Sequence, residues 1–283
     1  MIAIMKLTMR EILYKRIFHV ILILTSIFLI TYAIGTYYVD HDLDVSNGMD
    51  PLTKPFLSTQ LLGMGLYFAA FIVSLLAIFS SVGSISKEIE SKQIDPILSR
   101  PLSRSSFIWG RFIGMSILLA VYAFFLFLCI TMINQWLGGG LKVVVSGMQL
   151  LSALALFVFQ PILLVAISLA LSARFSSLNC GITMVMLYVL GMISGFIEQI
   201  GAMAKSTTMI NIGIISSLIF PLDSLFRKMT IFLFDSADDP LSFATQGIFG
   251  SMSVPSNAML IYAVIYGLVA LAIAMQIFAK RDV

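Results

Sequence analysis

Long apolar runs alternate with short polar connections along the chain. A helix needs about 20 apolar residues, at about 1.5 Å each, to cross a membrane. Six runs reach that length: approximately residues 17–39, 61–85, 107–134, 148–172, 179–204 and 258–279. The first exceeds the roughly 7–15 residues of a signal-peptide core and no small-x-small cleavage site follows it, so it is expected to remain as a helix. Ahead of it, Ile2, Met5, Met9, Ile12 and Leu13 recur at helical spacing, with Lys6, Arg10 and Lys15 largely off that stripe. This predicts an amphipathic helix over residues 1–16 in the cytoplasmic interface, its basic face toward anionic head groups; the frayed start of the first span is the alternative.

Between the fifth and sixth runs, Ile210 to Leu222 is apolar but too short to span. Leu222, Leu225, Phe226, Met229, Phe232 and Leu233 then follow helical spacing, with Asp223, Arg227 and Lys228 on the other face. The pair predicts a re-entrant hairpin near the outer membrane surface, and a peripheral helix resting on head groups satisfies the same pattern. Residues 235–253 are expected to form a polar external loop turning at Asp238-Asp239-Pro240. The fold class is therefore all-α: a polytopic membrane protein forming one transmembrane domain over residues 1–283.

Composition strengthens this reading. Of the 283 residues, 59% are hydrophobic and 11% charged, against roughly 45–50% and about 25% in soluble domains. Lys and Arg exceed Asp and Glu only by 17 to 14, with no basic tract of the kind that binds nucleic acid. Their placement is more informative than their excess. With a cytoplasmic N-terminus, twelve of the 17 fall inside, leaving Lys54, Lys142, Lys205, Arg227 and Lys228 outside. Both termini are thus expected in the cytoplasm. Cys129 and Cys180 lie within apolar runs and are expected to be small buried hydrophobes.

Catalytic motifs are missing from the sequence. His19 and His41 allow no HExxH motif and no zinc cluster, and the chain has neither Gly-x-Ser-x-Gly nor Gly-x-x-x-x-Gly-Lys-Ser/Thr. No metal site and no cofactor bound by this chain are expected. Glu198 is the one acid inside a predicted span, near its external end. A gate or substrate contact is the functional reading of Glu198; an interfacial carboxylate reaching water is the favoured plain one. Asn134 and Gln160 are further candidates for a translocation path, although either amide can simply bond neighbouring backbone. Gly110-x-x-x-Gly114 and Gly191-x-x-x-Gly195 mark close helix contacts, more readily within one subunit than between two.

The most polar stretch is the cytoplasmic loop Ser86–Ser106. Asp95-Pro96 interrupts its first short helix, because the residue before proline is pushed out of the α region, and Asp95 can cap a second turn. Arg100-Pro101 ends that turn. Such a loop is more structured than a connection requires, and a soluble partner can grip short charged helices of this kind.

The stretch containing Glu88-Ile-Glu90, Leu98-Ser-Arg100-Pro101-Leu-Ser-Arg104 and Phe107-Ile-Trp-Gly110-Arg111 resembles the corresponding region of type-2 ATP-binding-cassette exporter permeases. Within that family it most resembles the NosY-like branch associated with multicopper-enzyme maturation. The ending Ala279-Lys280-Arg281-Asp282-Val283 is also similar, whereas Ser91-Lys92-Gln93 and Asp95-Pro96 depart from the usual pattern. The resemblance implies a permease that pairs with a second copy or a related permease and with two separate ATPase subunits carrying ATP and Mg. It implies a plasma (inner) membrane location, with an accessory extracytoplasmic protein as a further partner. It also implies a coupling role for the first cytoplasmic loop: docking charges from Glu88, Glu90, Asp95, Arg100 and Arg104, stiffened by Pro96 and Pro101. A membrane scaffold or sensor that recruits a cytoplasmic partner without transport is the competing reading.

Overall fold

The structure, a computed structural model, describes residues 2–42, 53–90, 104–234 and 255–280. Its described residues contain helices and turns and no strand. The helices are α1 (Ile2–Tyr14), α2 (Arg16–Asp42), α3 (Thr53–Ser81), α4 (Ser86–Glu90) and α5 (Arg104–Leu137), followed by α6 (Gly147–Arg174), α7 (Ser177–Met203), α8 (Thr207–Ile219), α9 (Leu222–Phe234) and α10 (Asn257–Lys280). A single 3-10 turn, Gly139–Leu141, joins α5 to α6. Six of the helices, α2, α3, α5, α6, α7 and α10, are long and apolar enough to cross a membrane. The chain is a multi-pass helical membrane protein.

The six runs correspond to these six helices, with the largest differences at the second. α3 begins at Thr53 rather than near residue 61, since its polar start is satisfied internally: the hydroxyls of Ser58 and Thr59 both donate to the Pro55 carbonyl. Pro55 is tolerated in the first turn, where a missing N–H breaks no helical bond. At its other end α3 stops at Ser81, short of residue 85, because Gly83 takes a φ of +74° that a helix cannot accommodate.

α6 is the centre of the bundle and packs against α3, α5, α9 and α10. Its start is fixed by a reciprocal cap. Ser146 Oγ accepts from the Gln149 amide while Gln149 Oε1 accepts from the Ser146 amide. α7 lies to the side and packs chiefly on α8. These two helices approach closely because Gly201 faces Met209 and Ile210: a Cβ on Gly201 would stand 2.8 Å from the Ile210 backbone nitrogen. Ser194 Oγ then donates to the Gly213 carbonyl at 2.9 Å.

α8 and α9 are separated at Phe220–Pro221 by a bend of 107°. The short apolar element and the amphipathic one are both present, but α9 is not a peripheral helix. Its charged side is buried as well as its apolar side, including Arg227 and Lys228. A period of 3.6 located the charged face; it did not reveal that α7 supplies partners for it.

α1 forms as expected, and the stripe turns inward in part: Ile12 is buried and Met5 and Met9 are half-buried. Ile4, Thr8 and Ile12 are buried, whereas Ile2 and Leu13 are exposed. The cause is α5: a Cβ on Gly114 would meet the Met5 carbonyl oxygen at 2.8 Å, so the missing side chain lets α1 lie against α5. Gly191 and Gly195 likewise face Phe220 and Asp223, so the glycines at 114, 191 and 195 all serve contacts within one chain. Cys180 is buried and donates to the Ser168 carbonyl, and Cys129 is a separate free thiol.

Candidate functional site: a helix clamped at one end of the bundle

The short helix α4 is held by three spans. Arg111, on α5, has a side chain only 1% exposed and pairs with Glu88 of α4 through Nη2. Its Nη1 donates to Glu11 Oε2 of α1 at 2.5 Å. A planar guanidinium suits this task because its fork can address two carboxylates arriving from different elements. Phe107, one turn earlier, sits under the guanidinium with 5.5 Å from Cζ to the ring centre and stacks on Phe278 of α10.

The second hold comes from α6. Ser172 Oγ accepts from the amides of both Ile85 and Ser86 at 3.1 Å, satisfying donors that the start of α4 would otherwise leave orphaned. The third comes from α7, whose first-turn amide at Ser177 donates to Glu90 Oε1 at 3.0 Å. A carboxylate at a helix N-terminus also meets the favourable end of the helix dipole. Lys15 Nζ adds a bond to the Ser80 carbonyl and a pair with Glu11 at 3.3 Å. Burial raises the affinity of Glu11 for its proton, but Arg111 and Lys15 outweigh that effect and hold its carboxyl below the ordinary value.

Glu88 and Glu90, expected as docking charges, are therefore both engaged within the chain, Glu88 inward on Arg111 and Glu90 on the start of α7. Sequence spacing could show two acids on a short helix but not which long-range cation faced them. Arg111 itself stood in the motif without an assigned role. Arg104 opens α5, and its side chain lies outside the described residues, as do Asp95, Pro96, Arg100 and Pro101.

A second polar cluster occupies the opposite end. Glu198 is 3% exposed and accepts from Arg227 Nη2 at 2.6 Å, and Arg227 Nε donates to Asp223 Oδ2 at 2.8 Å. Glu198 is thus a buried ion-pair partner, not a carboxylate reaching water. Lys228 Nζ donates to the Pro255 carbonyl at 3.0 Å. Gln160 Nε2 donates to the Leu222 carbonyl at 3.2 Å, which binds α6 to the start of α9. Asn134 is fully buried near the end of α5 and accepts from the Val143 amide at 3.4 Å, beside a cavity of about 470 Å³ at the α5–α6 connection. No group of three potential metal ligands occurs among the described residues.

Six helices able to span a membrane, an N-terminal helix laid against the third of them and a short helix clamped after the second define a multi-pass helical membrane protein. Residues 2–283 match the family described as ABC-2 family transporter protein, and the chain belongs to that family. No curated protein matches the chain.

Proposed function

We propose that this chain is the permease of an exporter and that the segment beginning with α4 couples it to separate ATPase subunits. The observation carrying this reading is the triple hold on α4, by Arg111, Ser172 and the first turn of α7. A flexible connection would absorb a displacement imposed by an ATPase. A helix bonded to three spans passes it on as rigid-body motion. Arg100 and Arg104, with Asp95, supply the docking charges in this reading, while Glu88 and Glu90 anchor the helix from behind. ATP and Mg reside on the ATPase, a second permease copy or a related permease completes the path, and both termini lie on the cytoplasmic side of a plasma membrane. The narrower likeness to the NosY-like branch rests on the loop sequence and the Lys280-Arg281-Asp282 ending.

The test is charge reversal at the loop: Arg100→Glu with Arg104→Glu. Expected is normal membrane insertion with loss of the copurifying ATPase and of transport. Undiminished ATPase recovery and transport would remove the coupling assignment.

A further inference from the structure

A cavity of about 200 Å³ lies where α7, α8, α9 and the start of α10 meet. Its polar wall includes Glu198, Arg227, Ser224 and Ser256, and Ile214 and Met259 supply an apolar side. Ser224 is 2% exposed, and its hydroxyl has no hydrogen-bond partner. An orphaned buried hydroxyl carries a desolvation cost, and Ser224 stands in the wall of a cavity of this size, which points to an occupant that bonds it.

The charges around the cavity limit what the occupant can be. Glu198 and Asp223 are balanced by Arg227 and Lys228, and Lys228 holds the Pro255 carbonyl at the cavity wall. A lone anion would meet the Glu198 carboxylate, and a lone cation would meet the Arg227 guanidinium. A zwitterion carrying both an ammonium and a phosphate satisfies the two signs together.

Depth indicates where such a zwitterion comes from. Glu198 lies 21 residues beyond Ser177, the start of α7, or about 32 Å along the helix, close to the roughly 30 Å thickness of a hydrocarbon core. The cavity therefore sits at head-group level in the leaflet opposite α4. Beyond its apolar side, Ile215 of α8 and Ile261 of α10 are each 63% exposed, giving an acyl chain a surface to follow.

We propose that this cavity binds the phosphoethanolamine-type head group of a phospholipid from that leaflet, with the ammonium toward Glu198, the phosphate toward Arg227, and Ser224 and Ser256 donating to phosphate oxygens. The site is independent of ATPase coupling and is read on the isolated full-length chain.

The experiment is native mass spectrometry of the detergent-purified chain, offered phosphatidylethanolamine, phosphatidylglycerol or free phosphoethanolamine. Wild type is compared with Ser224→Ala/Ser256→Ala, whose lipid-free thermal midpoint serves as the folding control. Expected is selective retention of phosphatidylethanolamine at one copy per chain, weakened at least tenfold in the double variant with the midpoint preserved. Equal retention of both lipids, or unchanged retention by the double variant, would overturn the site. Should free phosphoethanolamine bind as strongly as the lipid, the assignment to a membrane lipid falls. A midpoint lowered by the substitutions moves the comparison to Ser224→Thr, which keeps the hydroxyl but crowds the cavity and is expected to weaken retention; unchanged retention there overturns the site.

Discussion

Arg111 and Glu88 are 23 positions apart in sequence, yet they form a pair that joins α5 to α4, with Glu11 of α1 on the same guanidinium. The middle residue of the loop helix and the residue that anchors the N-terminal helix thus share one buried cation. Removing that cation takes the ion pair from Glu88 in a largely buried site, while Glu11 is half-exposed and keeps Lys15.

Arg111→Met is therefore expected to destabilise the protein by about 3–5 kcal/mol, the range for stripping one partner from a buried ion pair. Glu11→Gln, at a position 38% exposed, is expected to cost far less. Denaturant unfolding in detergent checks the ranking, and equal effects would show that Arg111 does not unite the two helices.

Ser172 presents one oxygen to two amides. Ser172→Ala should cost about 1–3 kcal/mol through the orphaned donors and should accelerate hydrogen exchange at Ile85 and Ser86 relative to the rest of the α3–α4 turn. Unchanged exchange at those two amides would mean the hydroxyl does not cap α4.

Gly201→Ala places a methyl group against the Ile210 backbone and is expected to cost about 1–3 kcal/mol by prying α8 from α7. Gly35, inside α2, faces open space: no atom lies within 4 Å of where a methyl group would stand. Gly35→Ala should instead stabilise by about 0.5–1 kcal/mol. Thermal midpoints of the two variants should shift in opposite directions.

The hold on α1 should respond to acid. The carboxyl of Glu11 is depressed, so its contribution is complete above the ordinary carboxylate value of about 4.3 and is lost as pH falls through the lower folded value. Hydrogen exchange in α1 is expected to be constant from pH 7 to about 5 and to rise selectively at about pH 4 and below, an increase that Glu11→Gln should abolish.

The spans and the bent pair between the last two spans were legible because apolar run length and helical period are local properties of the chain. The inward face of α1 was legible only in part: Met5, Met9 and Ile12 turn inward, but Ile2 and Leu13 of the same stripe do not, because Gly114, more than a hundred residues later, sets the line of contact. Glu198 shows the same limit. Its carboxylate near the end of a span looked water-facing until α9 brought Arg227 to it. Pairings of this kind belong to tertiary structure, and hydropathy holds no record of them.

Along α6, Gln160 grips the start of α9 and Ser172 grips the start of α4, about 18 Å apart on one rod. Pro161 follows Gln160 directly and lacks the N–H for one rung of the helix, so α6 is one backbone hydrogen bond short beside its contact with α9 and has its full ladder toward α4. The two short helices at opposite ends of the bundle thus share one continuous backbone, and a displacement of either has a single rod by which to reach the other.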